Sequence, residues 1–318
     1  MAVSIPDSIL ERFRADLTSL AVDGSVAVAV SGGPDSLALL LLSRAALGPG
    51  VIAATVDHGL RAEAADESRF VARLCKDIGV DHVILAVEVE ERGEGVQAAA
   101  RQARYDALAC WCKSRNISNL FTAHHTDDQA ETLLMRLGRG AGIGGLVGVR
   151  ASRALSPALR LVRPLLGWRK AELAGIVTDA GIVARDDPSN RDDRYDRTAV
   201  RALLAETPLL DARRLAASAA HLAEAEDALA WAADRAFALS VTHFGDRFEL
   251  DPADYPPEIM RRMLVRIFAD FGTNPKGPAL DRLAEQLRAG GTATLAGIKA
   301  TPGARWCFQP APPRRAAR

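Results

Sequence analysis

Residues Ser31-Gly32-Gly33-Pro34-Asp35-Ser36 place two adjacent glycines, two hydroxyls and a carboxylate within one short stretch. Gly32 and Gly33 permit backbone conformations and close approaches that a Cβ forbids. The apolar run Ser25-Val-Ala-Val-Ala-Val30 precedes them, and Leu37-Ala-Leu-Leu-Leu-Leu42 follows. A buried strand, a tight turn and a helix start would direct the free N–H groups of the first helical turn at whatever occupies the turn, which makes a phosphate cradle. No lysine follows the glycines, so the Gly-Lys-Ser/Thr grip on a γ-phosphate is missing. Asp35 instead brings a carboxylate to the anion, which suggests bound magnesium. The same residues could be an ordinary helix start capped by Ser31 or Ser36; the strand-to-helix context favours phosphate.

Two further polar clusters end apolar runs. Val56-Asp57-His58-Gly59-Leu60-Arg61 sets an acid, an imidazole and a guanidinium at a strand tip. An Asp–Arg pair closing the loop, or metal ligation by Asp57 and His58, would use the same residues. Thr122-Ala-His124-His125-Thr126-Asp127-Asp128-Gln-Ala-Glu131-Thr132 opens a helix near Thr126. Asp127 and Glu131 are four apart and Asp128 and Glu131 three apart, so each pair shares a face. Carboxylates there can hold magnesium or a substrate ammonium group, and they also suit the helix dipole as a plain N-terminus would. Arg101 and Arg104 lie on adjacent positions of one helix face and could reach a phosphate or be surface charges. Gly140-Ala-Gly142-Ile-Gly144-Gly145 fits a Gly-x-Gly-x-x-Gly pattern, but it follows a helix, so it is not a dinucleotide fingerprint. It reads as a flexible connector against RNA or substrate, or a simple loop.

The elements that position these clusters follow a βαβ rhythm. Strand-like runs at 25–30, 51–56, 82–87 and 118–123 alternate with helix-like segments at 35–47, 63–78, 97–115 and 127–138. That is an α/β doubly wound parallel sheet, whose ligand site lies beyond the carboxyl ends of the strands, where the three clusters fall. After Pro164 come a helix at 169–181, a polar stretch from Arg185 to Arg197, and an alanine- and leucine-rich helical region from 199 to about 239. The tail mixes short helices with β-like pieces around 292–299 and 304–309. A boundary in the Pro208 region divides a catalytic domain, 1–210, from a mostly helical C-terminal region with a small α+β tail, 211–318.

The chain has 318 residues, 48% of them hydrophobic, enough to bury a large core, and formal net charge zero. Neutrality as a whole argues against a nucleic-acid binder, yet 132–170 carries Arg136, Arg139, Arg150, Arg153, Arg160, Arg163, Arg169 and Lys170 with no Asp or Glu. Beside a nucleotide site, that stretch reads as an RNA-facing surface rather than a solvated face. With no signal peptide and no bilayer-length apolar run, the expected location is cytoplasmic. Four scattered cysteines and no Cys-x-x-Cys give neither a disulfide framework nor a metal site.

At 31–36 the chain resembles the PP-loop ATP pyrophosphatases, whose Ser-Gly-Gly-x-Asp-Ser signature it matches at every fixed position. The family implies cleavage of ATP between the α and β phosphates to activate a carbonyl oxygen. Together with Val-Asp-His-Gly-Leu-Arg, Ala-Arg-Gln-Ala-Arg-Tyr, the Thr122–Thr132 motif, the Arg139-Gly-x-Gly-x-x-Gly-Leu run, Arg163-Pro-Leu-Leu and Asp186-Asp-Pro-Ser-Asn, the signature resembles the tRNA(Ile)-lysidine synthase family over about residues 22–205. Gln97 stands where that family often has glutamate.

The resemblance implies ligation of L-lysine to C2 of the wobble cytidine of tRNA(Ile) with a CAU anticodon, through an adenylated cytidine, with ATP and Mg2+ consumed or bound and AMP and pyrophosphate released. By carry-over, Ser31, Gly32, Gly33, Pro34, Asp35, Ser36, Asp57, His58 and Arg61 would bind ATP, with Asp35 on magnesium. Asp35, Asp128, Glu131, Arg101 and Arg104 would be catalytic. His124, His125, Asp127, Asp128, Glu131 and Arg139 would meet lysine or tRNA, and the C-terminal region would bind tRNA. Oligomeric state stays open, a homodimer being one option. The other readings are a PP-loop tRNA thiolase, disfavoured by the mid-helix Cys110-x-Cys112 spacing, and a non-catalytic RNA-binding protein that keeps the pocket. A metal phosphoesterase lacks a full ligand set.

Overall fold

In the computed structural model, which describes residues 5–57, 62–87, 96–185 and 196–312, the apolar run before the glycines is strand β1 (Val26–Ala29) and the one after them is helix α2 (Pro34–Leu47). Helix α1 (Asp7–Ser19) precedes both. Then follow β2 (Val51–Asp57), α3 (Ala62–Asp77), β3 (Asp81–Ala86), α4 (Val96–Ser114), β4 (Asn119–Phe121), α5 (Thr126–Gly138) and the one-turn α6 (Ile143–Leu146). Strands β5 (Ser152–Ser156) and β6 (Leu159–Val162) lead to α7 (Lys170–Asp179), α8 (Asp196–Glu206) and α9 (Ala212–Ser240).

The first sheet has the order β3-β2-β1-β4-β6-β5, parallel throughout except that β5 pairs antiparallel to β6 at the edge. Alternation along β1 explains the two covering layers. Val26 and Val28 face a core with Leu37–Leu42, Phe13, Val71, Leu173 and Trp168, while Ala27 faces Tyr105, Leu108 and Cys112 of α4. Helix α2 is apolar nearly all round because it lies between the sheet, α1 and α7. Strand order reverses direction between β1 and β4. At that switch point the chain leaving each strand diverges to opposite faces and opens a crevice.

The β5–β6 hairpin is an element that charge reading passed over, having treated 132–170 only as a basic stretch. Its apolar face lies in β6, where Leu159, Leu161 and Val162 are buried, while the edge strand β5 is mostly polar and exposed, and each strand is too short for alternation to announce it. The helical region expected from 199 to 239 is two helices: Pro208 cannot continue the first, and the Asp211 carboxylate accepts the Arg214 N–H at 3.0 Å to open the second.

Contacts divide the chain into two compact units between Ala223 and Glu224, within α9. The second unit contains a five-stranded antiparallel sheet of order β7-β8-β11-β10-β9, formed by β7 (Val241–Phe244), β8 (Arg247–Leu250), β9 (Ala293–Leu295), β10 (Ile298–Thr301) and β11 (Trp306–Pro310). Helices α10 (Pro257–Asp270) and α11 (Gly277–Arg288) pack on it through Met260, Met263, Leu264, Ile267, Leu280 and Leu283. Its β7–β8 hairpin lies ahead of the β-like pieces legible in the sequence. Among the described residues no helix is long and apolar enough to cross a membrane.

Candidate active site

The turn after β1 has the geometry its composition implies. Gly32 sits at φ +87°, a left-handed conformation that side chains resist. Gly33 is the N-cap of α2 and Pro34 its first residue, and no side chain caps the helix. The Ser36 hydroxyl accepts the Ser31 N–H at 3.1 Å and donates to the Gly33 carbonyl at 3.0 Å. Ser36 thus stitches the loop and does not cap it, so the ordinary capped start does not form and the first-turn N–H groups stay open to an anion.

Across the switch point, the chain leaving β4 brings His125 and α5 against this turn. His125 is buried and caps α5: the Asp128 N–H reaches its Nδ1 at 3.4 Å, while the His125 N–H donates to Asp128 Oδ2 at 3.1 Å. Its Nε2 lies 3.5 Å from Asp35 Oδ2 and 3.6 Å from Asp128 Oδ2. One imidazole edge therefore gathers carboxylates from two distant motifs. Burial works against an imidazolium there, but the hydrogen bond to Asp35 and the charges of Asp128, Asp35 and Asp127 outweigh it and hold the His125 pKa above its usual value. His124 is the opposite case. Burial, aided by Arg163, Arg101 and Arg197 and opposed by Asp128, pulls it down to about 4, so it is neutral, with Nδ1 3.2 Å from the Thr122 hydroxyl.

The remaining acids of α5 are held by arginines. Arg169 donates to Asp127 through Nε at 3.2 Å and Nη2 at 3.0 Å, and the Lys170 N–H adds a bond of 2.8 Å, so Asp127 also serves the N-terminus of α7. Despite burial, these contacts keep the Asp127 carboxyl below its ordinary pKa. Glu131, 4% exposed, meets Arg201 Nε at 2.7 Å and Arg197 Nε at 3.2 Å. Beside them is a cavity of about 380 Å³ whose charged lining is Asp127, Glu131, Arg169, Lys170, Arg201 and Asp211. The third acid, Asp128, lies against His125, and its charge is felt by Arg201, whose guanidinium is also held by Glu131.

Other expected residues divide. Asp57 ends β2, its carbonyl accepting the Val87 N–H at 2.9 Å. His58 and Arg61 lie outside the described residues, as does Asp186-Asp-Pro-Ser-Asn. Arg101 is exposed over Tyr105, Arg104 is exposed one turn on, and Arg139 is the exposed C-cap of α5. The glycine-rich connector is tethered rather than loose. Arg136 Nη1 donates to the carbonyls of Gly145 at 2.7 Å and Gly148 at 3.0 Å, and Gln129 exchanges bonds of 2.6 and 2.7 Å with the Val149 backbone.

Sequence reasoning missed Arg169, Arg197, Arg201, Arg163 and Gln129 as parts of the site. Arg197 and Arg201 did carry a signal, arginines four apart on one helix face, but their partner is seventy residues away. Cys110 is exposed and Cys112 buried, with burial pushing the Cys112 thiol up to about 12. They face different environments, so the pair cannot share a cluster, which removes the geometric basis of the thiolase reading.

The sheet order, the uncapped glycine turn and the carboxylates facing it define a PP-loop nucleotide-binding protein, and the PP-loop domain family matches residues 7–207. A solved structure of similar fold is the U34-tRNA thiolase NcsA from Methanococcus maripaludis with its [4Fe-4S] cluster. The TM-score is 0.57 at 18% identity, covering 68% of this chain and 78% of that one, a likeness of fold. The chain is 48% identical to the tRNA(Ile)-lysidine synthase of Novosphingobium aromaticivorans over 96% of its length and 95% of the relative's. It is 44% identical to that of Zymomonas mobilis over 95% and 93%. The chain belongs to the tRNA(Ile)-lysidine synthase family.

Proposed function

We propose that this ligase forms lysidine in two chemical steps at the crevice between β1 and β4. The observation that carries the reading is the meeting of Asp35 and Asp128 on His125 beside the open first turn of α2. In the first step the C2 oxygen of the wobble cytosine of tRNA(Ile) with a CAU anticodon attacks the α-phosphorus of ATP. The bond to the bridging oxygen breaks, and pyrophosphate leaves into the N–H groups at 31–36. In the second, the neutral ε-amine of L-lysine attacks C2, the C2–O bond breaks, and AMP departs with the oxygen.

Magnesium fits the residues present. Asp35 Oδ1 is a buried carboxylate oxygen with no hydrogen-bond partner, a costly arrangement that a cation would relieve. Among the described residues no group of three acids, histidines or cysteines is set to cage a metal. That suits an ion held by one or two carboxylates together with substrate phosphates. Asp35 would hold it together with the substrate phosphates, and when bound it would neutralise charge developing on them. His125 positions the Asp35 carboxylate.

Asp127 and Glu131, paired with Arg169 and Arg201, make the adjoining cavity a site for a zwitterion: guanidinium groups for lysine's α-carboxylate, acids for its ammonium groups. Asp128, one turn from Glu131 on the same helix and set against His125, is the acid to take a proton from the ε-amine. Arg101 and Arg104 would face phosphate, with Asp57, His58 and Arg61 around the nucleotide, His124 and Arg139 toward the tRNA, and residues 211–318 gripping its body. The reaction belongs in the cytoplasm, where tRNA, ATP and free lysine meet.

The test is transfer of radiolabelled lysine into a tRNA(Ile)-CAU transcript with ATP and Mg2+, for wild-type protein and Asp35→Ala. Incorporation that disappears in the variant supports the reading. Cleavage of ATP to AMP and pyrophosphate without incorporation by the wild type would overturn the choice of substrate.

A further inference from the structure

The buried Glu131 has two arginines and the half-buried Asp127 has one. Arg163, just past the carboxyl end of β6, has no such counter-ion. It is 3% exposed, its Nη1 donates to the Arg150 carbonyl at 2.5 Å, and its Nε has no partner at all. Around it lie the Tyr105 hydroxyl, which bonds to it, and two more guanidiniums, Arg153 and Arg101. Tyr105 is itself buried, with Arg101 5.2 Å and Arg153 5.4 Å from its ring centroid. Three arginines thus converge on one phenol ring, and no carboxylate is recorded against them among the described residues.

Such a cluster is unfavourable by itself. A buried cation without a counter-ion loses hydration, and neighbouring cations add repulsion. Burial and the other two arginines accordingly depress the Arg163 pKa. The two outer guanidiniums are exposed, so an anion can reach them from solvent. The site is also next to the chemistry: the Thr122 N–H bonds the Val162 carbonyl at 3.1 Å, so β6 delivers Arg163 beside the strand end that carries His124 and His125.

We infer that Arg101, Arg153, Arg163 and Tyr105 form a clamp for one phosphodiester of the RNA strand adjoining the reacting nucleotide. The inference rests on the proposal that RNA is the substrate. Arg153 and Arg101 supply the two donors that close on the phosphate oxygens, and Arg163 with the Tyr105 hydroxyl supplies the positive floor. An ATP phosphate has the same chemistry, and position separates the two sources. The open N–H groups of the 31–36 turn already serve the polyphosphate, whereas the clamp lies on the β4–β6 side, toward the basic edge strand β5.

The variant to use is Arg153→Ala, because Arg153 is exposed on an edge strand and has no part in the chemical steps. Equilibrium binding of tRNA(Ile)-CAU is measured across a range of NaCl concentrations without lysine, and the KM for ATP is measured separately. The expected result is roughly five- to tenfold weaker tRNA binding, a slope of log K against log[NaCl] shallower by roughly 0.7 to 0.9, and an unchanged KM for ATP. An unchanged affinity and slope would overturn the clamp. Unchanged tRNA binding with a raised KM for ATP would also overturn it, by assigning the anion to the nucleotide. If wild-type protein transfers no lysine, the functional proposal fails by itself, while the salt slope still reports on the clamp.

Discussion

Replacing Arg201 by alanine tests whether the buried Glu131 depends on its arginines. Glu131 is 4% exposed and receives Arg201 Nε at 2.7 Å and Arg197 Nε at 3.2 Å. Removing one partner of a buried pair costs about 3–5 kcal/mol, because the remaining charge stays buried. Arg197 remains in place here and Arg201 is one-third exposed, so the expected loss is about 2–3 kcal/mol. For a unit of this size that lowers the midpoint of thermal unfolding by roughly 4–12 °C. Glu131→Gln in the same background removes the orphaned charge, and the double variant should recover about 1–2 kcal/mol relative to Arg201→Ala. Urea denaturation of the four proteins of this cycle measures the coupling. The functional arm is the KM for lysine, expected to rise at least about tenfold in Arg201→Ala while tRNA-dependent release of pyrophosphate from ATP changes less than about twofold. Additive stabilities, with the double variant as unstable as the sum of the singles, would refute the reasoning.

Three further outcomes follow from other parts of the first unit. Glu172 accepts the Arg169 N–H at 2.7 Å and pairs with Arg12 at 2.8 Å; although burial opposes it, these contacts hold its carboxyl below the ordinary value of 4.5. Its contribution is therefore present above that value and lost as pH falls through the lower, folded-state pKa, so wild type should lose more stability than Glu172→Gln in urea melts taken from pH 6 down to pH 3. Gly148 stands at φ +65°, where an added Cβ would lie 2.5 Å from Gln129 Oε1. Gly148→Ala should cost about 2–3 kcal/mol, measured by denaturant unfolding; a neutral effect would mean that Gln129 does not hold the Val149 backbone. Burial lifts the Cys75 and Cys112 thiols to about 12, while Cys110 is exposed. Titration of the native protein with an aromatic disulfide at pH 8 should label Cys110 quickly and leave Cys75 and Cys112 protected until unfolding, and Cys110→Ser should keep full lysine transfer.

The sequence by itself determined the four central parallel strands and the glycine turn that follows the first of them. Leu37–Leu42 reads as a buried segment, and Pro34 at its start with Gly32-Gly33 before it marks a tight turn opening a helix, because turn and helix-start signals are local. Neighbouring motifs could be assigned to strand ends for the same reason. Tertiary structure decided what each charged residue is for. Asp127, Asp128 and Glu131 read alike along α5, yet Asp127 meets Arg169 and the start of α7, Glu131 sits between Arg197 and Arg201, and Asp128 shares the Nε2 edge of His125 with Asp35. Arg163 was one arginine among many until the β5–β6 hairpin buried it against Tyr105. Charge acts through space with no periodicity in sequence, so the partner that sets a carboxylate's or guanidinium's role becomes visible only when the fold has brought distant segments together.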